Sequence, residues 1–168
     1  MVEGQTLAVG LLLWHLAGLK RSNCVPMPLK QAAELGVGRW AARKALSPSL
    51  RKLAPRKINE DVVVPITRLP ELVAGLRALS GEHGLRIVSF GHAGNGNIHV
   101  NILADPLDPV QMRAIEACLS GVFRLVLSLD GTLSGEHGVG IEKREFVGWE
   151  VAAPALELMQ QIKRVFDP

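Results

Sequence analysis

The chain has 168 residues, 48% of them hydrophobic and 21% charged, enough for one domain with a sizeable core. Its net charge of +3 comes from scattered Lys and Arg with few aromatic residues between them, which argues against a dedicated nucleic-acid surface. The two cysteines, Cys24 and Cys118, are far apart and fit neither a metal-binding nor a disulfide pattern, so a reducing, intracellular setting is the expectation.

At the start of the chain, Thr6–Leu19 is strongly apolar but too short for a membrane span. Glu3 is the only charge before it, where a secretory signal would carry basic residues. A buried helix or a poorly placed tail is the reading, and the two prolines of Cys24–Pro28 interrupt any helix there. Residues 1–38 are set apart as an atypical N-terminal segment, and residues 39–168 as the functional domain. Trp40, Ala41, Lys44 and Ala45 suit a short helix that ends before Pro48. On this helix Arg43 taken alone reads as a solvent-facing residue.

Ile58–Ile66 is β-branched and strand-like. Thr67 is placed to cap the following helix, with Pro70 tolerated in its first turn. Leu69, Leu72, Val73, Leu76 and Leu79 recur at helical spacing, and Gly81 and Gly84 mark its end. His83, between those glycines, reads as a solvated loop residue. Leu85–Phe90 and Asn97–Leu103 are two further strands, joined by a turn rich in Gly and Asn, which predicts an antiparallel hairpin. Alternation puts Asn97, His99, Asn101 and Leu103 on one face, and Ile98, Val100 and Ile102 on a core face. His92, at the mouth of the turn, can reach the side that carries His99.

Asp108-Pro109 opens a long helix with Ile115, Leu119, Val122 and Val126 as its buried stripe. Cys118 lies on that stripe and reads as core. Gly131–Lys143 (G-T-L-S-G-E-H-G-V-G-I-E-K) then places Glu136 and His137 side by side among glycines. Neighbours in an extended loop point to different sides, so the two take different roles. Glu136 can complete a His/His/Glu metal site with His92 and His99, since two imidazoles and a carboxylate are a common set for a catalytic zinc. His137 then remains as an acid–base group. Pro154 starts a last helix with Leu158, Ile162, Val165 and Phe166 on one side. The order of elements predicts an α+β fold, a mainly antiparallel sheet with helices on one face.

The paired stretches G-H-A-G-N-G-N-I-H-V-N and S-G-E-H-G-V-G-I-E-K resemble the C-terminal domain of the FAD-linked oxidases, a group that includes D-lactate dehydrogenases, the glycolate oxidase FAD-binding subunit and D-2-hydroxyglutarate dehydrogenase. The similarity runs from about Gly38 to Pro168. It implies that His92, His99 and Glu136 bind a divalent metal, zinc, and that His137 takes the proton of the substrate hydroxyl. It implies substrate contacts for Asn101 and for Arg43, which stands in a W-x-x-R pattern and whose planar guanidinium suits a carboxylate. Lys57 is a looser substrate-binding candidate. Asn95 stands where many relatives have Asp, at a position that is not a ligand.

The resemblance further implies FAD, a small 2-hydroxy-acid substrate, and the fold of the cap domain in these enzymes. It leads to the expectation of a cytoplasmic protein, with a peripheral place at the inner membrane left open, and no transmembrane span. The chain has no room for the family's large FAD-binding domain and stops before an Asn-Pro-Gly-Lys-like tail, so it reads as a piece of the enzyme. A separate FAD-binding chain or an electron-acceptor protein is the expected partner. The alternative is a non-catalytic metal-binding or interaction domain that kept the fold without the flavin half.

Overall fold

The computed structural model describes residues 50–51 and 54–168. The N-terminal segment, the helix expected near Trp40, and Arg43 lie outside the described residues. Three strands, β1 (Arg56–Val63), β2 (Arg86–His92) and β3 (Asn97–Ala104), form a sheet in the order β1-β3-β2 with both pairings antiparallel. Among the described residues from Arg56 on, four helices accompany it: α1 (Leu69–His83), α2 (Pro109–Ser128), the short α3 (Val147–Glu150) and α4 (Ala153–Phe166). The α+β arrangement is the one the sequence pattern predicts.

Alternation along β3 sorts the two faces. Ile98, Val100 and Ile102 join Val62 and Ile87 in the core with Leu72 and Leu76 of α1 and Ile115, Cys118, Val122, Phe123 and Val126 of α2. Helix α1 packs on β2 and on α2, which in turn lies against β3. Gly75 and Gly121 serve this close contact, since a Cβ would come within 2.5 Å of Leu125 at the first and 2.8 Å of Leu79 at the second. Asp108 caps α2 by accepting from the N–H groups of Val110 and Gln111, and Pro109 fills the first turn.

Several local expectations are corrected. The first strand stops at Val63 rather than Ile66, because Pro65 has no N–H to give to a ladder. Thr67 does not cap α1: Ile66–Arg68 form a 3-10 turn that runs directly into the helix, and the N-cap position is Arg68, without a side-chain cap. Gly81 is inside α1, and the helix stops at Gly84, whose φ of 63° is the left-handed conformation that favours glycine. His83 is therefore the last helical residue, half-buried, and not part of a loop. On α4 the apolar side expected from the sequence is present, and its Leu158, Ile162, Val165 and Phe166 are all exposed.

Candidate active site

The hairpin and the strand pairing build the floor of the site. Asp61 on β1, His99 on β3 and Phe90 on β2 stand in one cross-strand row, so their side chains share the face opposite the core. The next row toward the turn holds Val63, Asn97 and His92. The turn itself is a 3-10 segment, Ala93–Asn95, closed by Gly96 at φ 76°. Gly96 lies so close to Val64 that a Cβ would meet its carbonyl oxygen at 2.0 Å. This fixes where β2 ends and brings His92 beside His99, with ring centroids 5.7 Å apart.

The loop after α2 forms the second wall. Thr132 exchanges both backbone hydrogen bonds with Val63 at the free edge of β1 (2.8 and 3.1 Å). Gly135 then passes directly over Asn97, where a Cβ would meet the side-chain oxygen at 2.6 Å. This approach carries Glu136 to the two imidazoles. Its Oε1 lies 3.3 Å from His99 Nε2 and 3.9 Å from His92 Nε2. His137 stacks on His99, with centroids 5.4 Å apart and planes at 20°, and its Nε2 is 4.0 Å from the same Glu136 oxygen.

The donor set fits a divalent cation. One ligand atom from each of His92, His99 and Glu136 can be chosen so that all lie within 4.8 Å of one another. Tetrahedral ligands at zinc distances are spaced about 3.3 Å apart, which the Glu136–His99 pair already matches. His92 and Glu136 are exposed and can close the remaining gap by side-chain rotation. His99 is 14% exposed in its side chain, and burial is the main reason its pKa falls below 6.5, with Glu136 opposing. The shift favours the neutral imidazole, the form that can ligate a metal.

The other expected residues are distributed unevenly. Asn101 is fully buried one row from His99; its Nδ2 donates to the carbonyls of Val88 and His99, while its Oδ1 has no hydrogen-bond partner among the described residues. Lys57 is on the same face, but at about 3.3 Å per residue it lies roughly 13 Å along β1 from Asp61. It lines a separate cleft of about 440 Å³ with Arg51, Arg56, Asn59 and Glu142. Burial first, then repulsion from Arg51, lowers its pKa.

Three charged residues at the centre of the arrangement were missed in the sequence reading: Asp61, Glu60 and Lys143. Asp61 is 0% exposed. Its Oδ2 accepts from the N–H groups of Gly135 (2.9 Å), Glu136 and His137 (3.0 Å). Its Oδ1 receives the ammonium of Lys143 at 2.9 Å and lies 3.6 Å from His137 Nδ1. Lys143 also donates to the carbonyls of Asp61 and Leu133, and its ammonium is 3.4 Å from Glu60. Burial alone would raise the Asp61 pKa; the Lys143 bond and the loop N–H groups outweigh it and hold the carboxyl far below the usual range. Glu60 goes the other way, raised by burial against the opposing pull of Lys143. The sequence signal was present: adjacent carboxylates in a β-branched strand must point to opposite faces, so one of them needs a buried partner.

The chain matches the family described as FAD linked oxidases, C-terminal domain, over residues 25–168. It is similar to the glycolate oxidase subunit GlcD of Bacillus subtilis, at 29% identity over 89% of this chain and 32% of that protein. A probable mitochondrial D-lactate dehydrogenase of Danio rerio is 34% identical over 77% of this chain and 25% of its own length. The D-2-hydroxyglutarate dehydrogenase of Stutzerimonas stutzeri is 35% identical, with 77% and 28% covered. The chain thus spans a third or less of these relatives. No helix among the described residues is long and apolar enough to cross a membrane. With the family's profile covering nearly all of the sequence that folds into this sheet and its Glu-His loop, the chain belongs to the C-terminal domains of the FAD-linked oxidases.

Proposed function

We propose that the chain is the substrate- and metal-binding part of a flavin-dependent dehydrogenase that oxidises a small D-2-hydroxy acid to the 2-oxo acid. The names of its relatives, glycolate oxidase, D-lactate dehydrogenase and D-2-hydroxyglutarate dehydrogenase, share that substrate class. The observation that carries the reading is the meeting of His92, His99 and Glu136, drawn from a strand end, a strand interior and a distant loop. These three hold a divalent cation, zinc, which when bound acidifies a coordinated hydroxyl. FAD, bound mainly by a part of the enzyme outside this domain, supplies the hydride acceptor.

The chain's own work is binding and proton transfer. His137 receives the hydroxyl proton: Asp61 stands at its Nδ1, which favours the tautomer with the proton on Nδ1 and leaves Nε2 as the base. Asn101, on the same sheet face as His99, takes the substrate-holding role that the family resemblance implies. Arg43 binds the substrate carboxylate, and Lys57 adds a positive charge farther along the same sheet face. A flavin-binding chain or an electron-acceptor protein completes the system, and the naming of one relative as a glycolate oxidase subunit supports such a partner.

The test combines the chain with a separately expressed flavin-binding part and follows D-lactate or glycolate oxidation by dye reduction. Turnover should appear only in the mixture. Dye reduction by the chain alone, with no flavin in its absorbance spectrum, overturns the reading.

A further inference from the structure

We propose that Asp61 is the positioning residue of this site, an inference that rests on the divalent-cation reading of His92, His99 and Glu136. Asp61 is sealed from solvent, and both carboxylate oxygens are already engaged. One gathers three consecutive loop N–H groups, Gly135, Glu136 and His137, and the other takes the Lys143 ammonium. A carboxylate so enclosed is not available as a further ligand.

Three N–H groups converging on one oxygen admit very few loop conformations. With the backbone of Gly135–His137 held this way, Glu136 and His137 leave the loop in fixed directions, one toward both imidazoles and one onto the face of His99. Asp61 is also the register partner of His99. The β1–β3 pairing therefore sets the distance between the loop and the His99 ring, and the loop does not choose it. Lys143 locks the Asp61 rotamer, because its ammonium is tied to the carbonyls of Asp61 and Leu133 as well as to Oδ1. The clamp thus spaces the ligands from below without touching the cation.

The experiment uses the full chain, with Zn²⁺ titrated by calorimetry and the visible spectrum of the Co²⁺-loaded protein as a report on ligand geometry. Asp61→Ala is combined with Lys143→Met so that no ammonium is left buried without a partner. Affinity in this folded double variant should fall by about 10–100-fold, the usual cost of losing a group that orients metal ligands, and the cobalt bands should shift. Asp61→Asn with Lys143→Met should recover most of the affinity, because the carboxamide oxygen can still gather the three N–H groups. Ile115→Ala, which weakens the core near the opposite end of α2 from the loop, should lower the melting temperature while leaving affinity and spectrum alone.

Unchanged affinity and spectrum in the folded Ala/Met variant overturn the positioning role but leave the cation site standing. No binding of Zn²⁺ or Co²⁺ by the unsubstituted chain overturns the cation reading itself, and the inference with it. If the Ala/Met variant does not fold, hydrogen exchange in the unsubstituted chain decides. Protected amides at Gly135, Glu136 and His137 are expected there, and exchange at free-loop rates contradicts the clamp.

Discussion

His99 and Asp61 both hold folded pKa values below their ordinary ones, His99 through burial and Asp61 through its hydrogen bonds against burial, and both make the fold sensitive to acid. The His99 pKa is lowered from 6.5, first by burial. Below pH 6.5 the unfolded chain therefore binds the proton that the folded chain refuses, and stability falls as pH drops through that window. Asp61 is depressed below 3.8 by Lys143 and the loop N–H groups against the effect of burial. Its contribution is complete above 3.8 and is lost as pH falls toward the folded value. Asp61→Asn should thus be less stable than the unsubstituted chain at neutral pH, and the gap should narrow below pH 3.8; urea melts across pH measure this. His92, His99 and Glu136 could be picked out in the sequence because glycines frame them and strand alternation orients them. For Asp61 the adjacent carboxylates signalled only that one of the pair needs a buried partner; which partner could not be read, because Lys143 is 82 residues away and only the third dimension brings them together. His137 lies outside the His92, His99 and Glu136 set, so His137→Ala should keep most metal binding and lose turnover in the reconstituted mixture, whereas His99→Ala should lose both.

At the level of elements, the pattern of a strand or helix says that it has an apolar face but not what covers it. The hairpin was legible because its two runs alternate on either side of a Gly-rich turn, and α2 because Asp108-Pro109 starts a long periodic stretch. For α4 the pattern gave an apolar side but not its surroundings: Phe166 is 84% exposed. Replacing Leu158 and Ile162 by Gln should change the unfolding free energy of this chain by less than about 0.5 kcal/mol per site, as for other surface positions. Gly96 sits at the other extreme. Its positive φ and the Val64 carbonyl at the place of a Cβ mean that Gly96→Ala should cost at least ~1 kcal/mol and disturb the His92 end of the hairpin. Lys143→Met leaves the Asp61 carboxylate buried without its ammonium and should cost about 3–5 kcal/mol. Chemical denaturation of the three variants would rank them in that order.

The whole molecule spans a quarter to a third of the relatives it matches, and it brings His92, His99, Glu136 and His137 to one side of a small sheet whose other side is packed by α1 and α2. The sheet gives the site its rigidity: β1 supplies Asp61, β2 supplies His92, β3 supplies His99, and the loop that pairs with β1 supplies Glu136 and His137. The central claim is that this convergence holds a divalent cation. It is tested most directly by elemental analysis of the purified chain beside its Glu136→Gln and His99→Ala variants, each loaded with zinc and dialysed. The account predicts about one zinc per unsubstituted chain and a clear loss in both variants; no zinc in the unsubstituted chain, or full retention by His99→Ala, would contradict it.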